Sequence, residues 1–142
     1  MSDDPADIAC WQRLSAEITT SGRLVEHDVA RLAGIGVRHV INLALAGSPG
    51  ALSNEDRVMA RAGLAYTHIP VPFDAPTDAH FASFVAALEA APRPAHVHCI
   101  MNWRVSAFFY RYNREQLDMA EAEARALMQQ QWDPDTIEHQ DA

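Results

Sequence analysis

His96-Val97-His98-Cys99-Ile100-Met101-Asn102-Trp103-Arg104-Val105-Ser106 is the stretch that decides the fold. It reads as a short buried strand that delivers a cysteine into a tight loop, after which an arginine and a serine open a helix. A thiol at a helix N-terminus is pushed toward thiolate, because the backbone N–H groups and the helix dipole favour negative charge there. The same N–H groups can hold a tetrahedral oxyanion. A nucleophile, an anion cradle and a guanidinium thus fall close together in the chain, a combination suited to attack by sulfur on a phosphorylated compound.

Working outward, strand-like and helix-like segments alternate. Ile18 to Gly22 is β-branched and then turns, the signature of a short first strand. Ala9 to Leu14 is expected to form a helical turn, and residues 1–8 an acidic, frayed start. Glu26 to Gly34 has helical apolar spacing closed by Gly34 and Gly36. Val37 to Leu45 is an apolar run suited to a strand buried on both faces of a parallel sheet. Ser53 to Asp56 resembles a capping box for a helix ending at Gly63. Tyr66 to Val71 is the next strand, stopped by Pro70 and Pro72. Asp78 to Ala90 is helical. Ala95 to Cys99 is the central strand, Arg104 to Tyr112 a largely buried helix, and Asp118 to Trp132 the last helix. Met119, Ala122, Ala126, Leu127 and Met128 form its expected inner stripe. This order predicts an α/β three-layer αβα fold with a mainly parallel central sheet. Ligands of such folds bind at the C-terminal ends of strands, where Cys99 would sit.

The 142 residues fit one domain, with an ordered core expected over about 9–133. Apolar residues make up 49% of the chain and the formal net charge is −8. That acidic balance argues against general nucleic-acid binding and against an anionic membrane surface. Any anion site must be local. The two cysteines, Cys10 and Cys99, do not make a disulfide scaffold or a zinc pattern. The N-terminus lacks the apolar segment of a secretory signal, and no run reaches membrane-spanning length, so a cytoplasmic protein is expected.

Phosphoryl transfer to a thiol needs an in-line thiolate, donors for the equatorial oxygens, and an acid for the leaving alkoxide. Cys99 supplies the first. The N–H groups of Ile100, Met101, Asn102, Trp103 and Arg104, with the Arg104 guanidinium as clamp, supply the second. For the third, Asp74 lies in the stiff loop Pro72-Phe73-Asp74-Ala75-Pro76-Thr77, on the rim where Cys99 is expected, and Asp78 is the alternative. His96 and His98 share one strand face; the ligand set for a metal is incomplete, so neither metal nor cofactor is expected. His98 is expected to bond the loop backbone. Trp103 either rims the pocket or packs in the core. Phe108, Phe109 and Tyr110 read as core, and Glu121 and Glu123 as a solvated face.

These residues carry a resemblance. From about Trp11 to Trp132 the chain resembles the bacterial branch of the protein tyrosine and dual-specificity phosphatase superfamily, the DUF442-type phosphatase-like proteins. The segments that carry it are Thr20-Ser21-Gly22, Val40-Ile41-Asn42-Leu43, His68-Ile69-Pro70-Val71, Asp74-Ala75-Pro76-Thr77, and His98-Cys99 through Ser106. The resemblance implies a phosphorylated substrate and a cysteinyl-phosphate intermediate, with Cys99 as nucleophile, Arg104 on phosphate and Asp74 as acid. It departs from that family's pattern in one place: four residues, not five, separate Cys99 from Arg104. Either the loop is one residue shorter, or it keeps its length and the arginine has moved forward, leaving Val105 at the usual arginine position. Ser106 favours the second account, and so does Asn102, which tolerates the left-handed geometry of a loop glycine. Ser106 near the thiol would assist breakdown of the phosphoenzyme. A rhodanese-like sulfurtransferase, whose active loop has a four-residue spacer, and a phosphate-binding module without turnover are the competing readings.

Overall fold

The computed structural model describes residues 4–45, 51–52, 54–72 and 76–131. Five strands form one sheet in the order β1-β2-β5-β3-β4. They are β1 (Gln12–Arg13), β2 (Ile18–Ser21), β3 (His39–Asn42), β4 (Ala65–His68) and β5 (Ala95–His98). Only β1 runs antiparallel; β2, β3, β4 and β5 are mutually parallel. In register, Ser21 of β2 and Asn42 of β3 both face His98 of β5, so three strands end level with the entry to the Cys99 loop.

Helices cover both faces, as the alternation predicts. They are α1 (Glu26–Gly34), α2 (Glu55–Arg61), α3 (Asp78–Ala90), α4 (Trp103–Glu115) and α5 (Glu121–Gln129). The period-2 alternation of each strand sorts its side chains between two cores. On one face Ile41, Leu43, Val97 and Cys99 pack with Phe81 and Phe84 of α3 and with Val105, Phe108 and Phe109 of α4. On the other, Val40 packs with Val29 and Leu32 of α1 and Met59 of α2. Phe84 anchors the first core: it meets Phe109 edge-on at 5.2 Å and is fully buried, worth about 1.5–3 kcal/mol as a side chain withdrawn from water.

Several expectations need correction. Ala9 to Leu14 is not helical: Cys10 takes φ +56°, which breaks a helix, and Gln12 and Arg13 pair with Thr20 and Thr19 instead. The segment before Ala9 is not frayed among the described residues, since Ile8 is buried and Asp4 is paired with Arg13. Asn54, in left-handed conformation, is the N-cap of α2, so Asp56 does not stand three residues beyond the cap; Ser53 lies outside the described residues. The last helix starts only at Glu121, because Asp118 has φ +54° and the Met119 N–H turns back to the Asn113 carbonyl. Its buried residues are Ala124 and Met128, while Ala122 and Ala126 face outward. Tyr110 is half-buried rather than core, with its hydroxyl donating to Glu121. Trp132 and the tail beyond it lie outside the described residues.

Candidate active site

β5 hands Cys99 to the loop with both neighbouring strands attached. The Cys99 N–H donates to the Ser21 carbonyl at 3.4 Å, and the His98 carbonyl accepts from the Leu43 N–H at 2.8 Å. Cys99 points to the α3–α4 face and has no exposed surface. Ile100 and Met101 are half-buried above it. Among the described residues, the N–H groups of Ile100, Met101 and Asn102 donate to no backbone carbonyl. Unpaired N–H groups at a strand-to-helix turn are donors in search of an acceptor.

Asn102 shapes the turn between Cys99 and Arg104. It is fully buried with φ +66°, and α4 begins at the next residue. The left-handed turn falls three residues after Cys99, at the position where the sequence expects the geometry of a loop glycine. Val105 is fully buried in the apolar core. Asn102 also ties the loop down. Its Nδ2 donates to the Cys10 carbonyl at 2.9 Å and to Thr20 Oγ1 at 3.1 Å. Its Oδ1 accepts from Ser106 Oγ at 3.1 Å, and its carbonyl accepts from the Ser106 N–H at 2.9 Å. The Ser106 hydroxyl hydrogen is thus committed to Asn102, which makes Ser106 a brace for the loop and removes that hydrogen from the thiol.

Arg104 lies in the first turn of α4. Its Nη1 donates to the Val71 carbonyl at 3.0 Å, while Nε is buried with no partner among the described residues. A buried guanidinium N–H without an acceptor is costly, and an anion beside it would remove the cost. Val71 leads toward the segment that holds Asp74, which lies outside the described residues. Asp78 stands in the first turn of α3, which Thr77 caps, with a strongly exposed side chain held by Arg111 at 2.9 Å. Trp103 is buried at the first position of α4, which favours packing over a rim role.

The two histidines do share a face, with rings 6.3 Å apart, yet their surroundings differ. His96 is fully buried, stacked on Trp11, with one ring nitrogen 2.8 Å from Thr19 Oγ1 and the other 2.8 Å from Ser21 Oγ. Burial, with the neighbouring His98 charge adding to it, holds its titration well below the ordinary imidazole range. His98 places Nδ1 3.2 Å from its own cysteine's carbonyl, the loop contact expected from the sequence, and Nε2 2.7 Å from Glu55 Oε2. All four ring nitrogens are therefore engaged by protein groups. Among the described residues no group of three or more His, Cys, Asp or Glu side chains could hold a metal ion.

Sequence reasoning missed three contributors. Glu55 reaches His98 from α2. Gly22 packs so close to the loop that a Cβ there would stand 2.4 Å from the Ile100 carbonyl oxygen. Cys10 borders the same spot: its carbonyl holds Asn102, and its thiol is pushed up by burial and then by the nearby Cys99 charge. The Thr20-Ser21-Gly22 segment was the one usable signal, since a glycine ending a strand marks close backbone approach.

A mainly parallel sheet with helices on both faces, and a central strand that leads through a cysteine and a left-handed turn to a helix with an arginine in its first turn, define a phosphatase-like α/β domain. The chain belongs to the family described as "Beta-lactamase hydrolase-like protein, phosphatase-like domain", whose model matches residues 11–110. Among solved structures it is similar to a DUF442 protein from Shewanella putrefaciens CN-32, at 30% identity and TM-score 0.76, covering 84% of this chain and 78% of that one. A second DUF442 structure from that organism has 26% identity and TM-score 0.74, covering 87% of this chain and 91% of that one. A cysteine-to-serine variant of TpbA from P. aeruginosa, in complex with pTyr, shares the fold at 21% identity and TM-score 0.76, covering 98% of this chain and 83% of that one. No curated protein matches the chain by sequence. Among the described residues no helix is long and apolar enough to cross a membrane.

Proposed function

We propose that the protein is a cysteine-dependent phosphatase that hydrolyses a phosphomonoester, on a protein or a small molecule, through a phosphocysteine at Cys99. The Cys99 sulfur attacks phosphorus in line as the bond to the leaving oxygen breaks. Asp74 delivers a proton to that oxygen. The free N–H groups of Ile100 to Asn102, the start of α4 and the Arg104 guanidinium hold the equatorial oxygens. Water then attacks the phosphocysteine, which returns the thiolate and releases inorganic phosphate. The observation that supports the reading best is the Asn102 turn, which opens α4 three residues after Cys99, with Arg104 Nε in its first turn buried and unpartnered among the described residues. The likeness to a relative solved with pTyr supports a phosphorylated substrate. Two free thiols suit a reducing compartment such as the cytoplasm.

The family match favours the phosphatase over the sulfurtransferase alternative, whose case is the four-residue spacer between Cys99 and Arg104; sulfane transfer from thiosulfate to cyanide distinguishes them. The complete burial of Cys99 favours a second reading, in which phosphate is bound without turnover. Hydrolysis of an aryl phosphate in the presence of a chelator, with calorimetry of vanadate binding alongside, separates the two. Turnover with binding supports the phosphatase, and binding alone supports the reader. Neither binding nor turnover would discard both.

A further inference from the structure

β5 reads Ala95-His96-Val97-His98, and a strand buried on both faces ordinarily carries apolar side chains. The steps above give His96 no task, although its contacts form a complete chain. Its ring lies between two hydroxyls of β2, with Nδ1 2.8 Å from Thr19 Oγ1 and Nε2 2.8 Å from Ser21 Oγ. Thr19, Ser21 and His96 are all buried. Burial keeps the ring neutral. The Ser21 hydroxyl has one hydrogen, and it donates to the Gly22 carbonyl at 2.9 Å. Ser21 Oγ therefore accepts from His96 Nε2. Nδ1 of the neutral ring is then an acceptor, and the Thr19 hydroxyl donates to it. Every donor and acceptor in the chain is used. With the ring hydrogen on Nδ1 instead, the Thr19 hydrogen would have no acceptor among the described residues, and the Ser21 hydrogen would turn from Gly22 to the ring. The Gly22 carbonyl accepts from no backbone N–H among the described residues, so it too would be stranded, and buried polar groups are seldom left so.

We infer that His96 and Ser21 are positioning residues for the Cys99 site: they fix the Gly22 carbonyl and, through two successive peptide planes, aim the Met101 N–H at the anion. In a trans peptide the C=O and the N–H point in opposite directions. The Gly22 carbonyl, held by Ser21, turns the Arg23 N–H onto the Ile100 carbonyl at 2.9 Å. The Ile100 carbonyl, held in turn by Arg23, sends the Met101 N–H away from β2 and into the turn that follows Cys99. That N–H donates to no backbone carbonyl among the described residues, so it is one of the donors offered to an anion. Neither plane has room to rotate, because Gly22 and the Ile100 carbonyl oxygen are too close to admit a Cβ between them. Trp11, stacked on the His96 ring at 5.4 Å, holds the orientation of the ring. The two side chains thus act on the cradle while touching neither the sulfur nor the anion.

The kinetic part of this inference rests on the phosphatase reading; the ring spectrum does not. Long-range proton–nitrogen NMR on the ¹⁵N-labelled full chain at neutral pH is expected to show His96 protonated at Nε2 and bare at Nδ1. A ring hydrogen on Nδ1 would overturn the inference, and this measurement needs no variant. Ser21→Ala cuts the chain of contacts at its last side chain. With an aryl phosphate it should lower kcat about 10-fold with KM little changed, short of the about 100- to 1,000-fold that follows outright loss of an oxyanion donor. Its Met101 amide proton should shift less at saturating vanadate than that of the wild type. His96→Phe, which keeps an aromatic ring against Trp11 and loses both nitrogens, should do the same. Thr67→Val removes a comparable hydroxyl contact to a histidine, His39, between β3 and β4, and should leave kcat unchanged whatever it does to the urea midpoint. Wild-type kcat, or a wild-type Met101 shift, in a folded Ser21→Ala or His96→Phe protein would sink the inference. A wild type that binds vanadate without turnover discards the phosphatase reading alone, and the Met101 shift then decides on His96 and Ser21. A wild type that binds no vanadate discards both.

Discussion

Replacing Gly22 with alanine tests whether the β2 exit shapes the Cys99 loop. The new Cβ would stand 2.4 Å from the Ile100 carbonyl oxygen and 3.3 Å from the Cys10 Cβ, and separations under 3.0 Å are essentially never seen. The obstacle is backbone, so no side chain can swing aside. The Ile100 peptide must retreat by about 0.6 Å, although the Arg23 N–H holds it at 2.9 Å. Overpacking of this kind costs about 1–3 kcal/mol. Restricting the unfolded chain at this site returns about 0.4–1 kcal/mol. A net loss of about 1–2 kcal/mol lowers Tm by about 2–8 °C in a chain of this size. The functional effect is larger than the thermal one, because a displaced Ile100 N–H no longer faces the oxyanion; misplacement approaching 1 Å costs up to about 100-fold in rate. Thermal melts and aryl phosphate kinetics on Gly22→Ala give both numbers. Gly34→Ala is the control: it sits in α1 with nothing within 4 Å of its added Cβ, and it should leave activity unchanged and stability equal or higher. If Gly22→Ala keeps wild-type Tm and kcat/KM, the contact between β2 and the loop does not shape the site.

Further outcomes follow from the buried polar groups. The His96 ring titrates lower in the folded chain than in the unfolded one, so stability is full above the unfolded value near ~6.5 and falls by about 1.4 kcal/mol per pH unit below it. Urea titrations between neutral and mildly acidic pH should show that slope, and stability that rises on acidification would contradict it. Asn102→Gly keeps the left-handed turn but loses the side-chain bonds to Cys10, Thr20 and Ser106, whereas Asn102→Ala loses both. Denaturation should rank wild type above Gly above Ala, with Ala at least about 1–3 kcal/mol below wild type. Arg104→Gln removes the guanidinium and should weaken vanadate binding about 10- to 100-fold, matching about 1.5–3 kcal/mol for a charged hydrogen bond. Equal affinity by calorimetry would place Arg104 outside the anion site.

Local pattern carried most of the fold. The Val37–Leu45 run contains β3, buried on both faces, and Asp78–Ala90 is α3 to the residue. Elements failed where a single residue in left-handed conformation overrode propensity, as at Cys10 before β1 and Asp118 before α5. In the site, Asn102 was legible because asparagine in place of a loop glycine has one stereochemical reason. Glu55 was not legible. It lies 43 residues from His98, and nothing in either segment announces a pairing made by the packing of α2 against the sheet. Ser106 lies in α4 and its hydroxyl donates to Asn102 Oδ1, a contact that depends on Asn102 side-chain geometry that sequence does not encode.

The central claim is that the Cys99 sulfur takes the phosphoryl group. Rapid acid quench during turnover of an aryl phosphate, followed by mass analysis of the peptides, tests it most directly. The account predicts one added phosphoryl group on the peptide that holds Cys99, absent in Cys99→Ser together with the activity. Turnover that proceeds undiminished in Cys99→Ser, with no phosphorylated Cys99 peptide in the wild type, would contradict it.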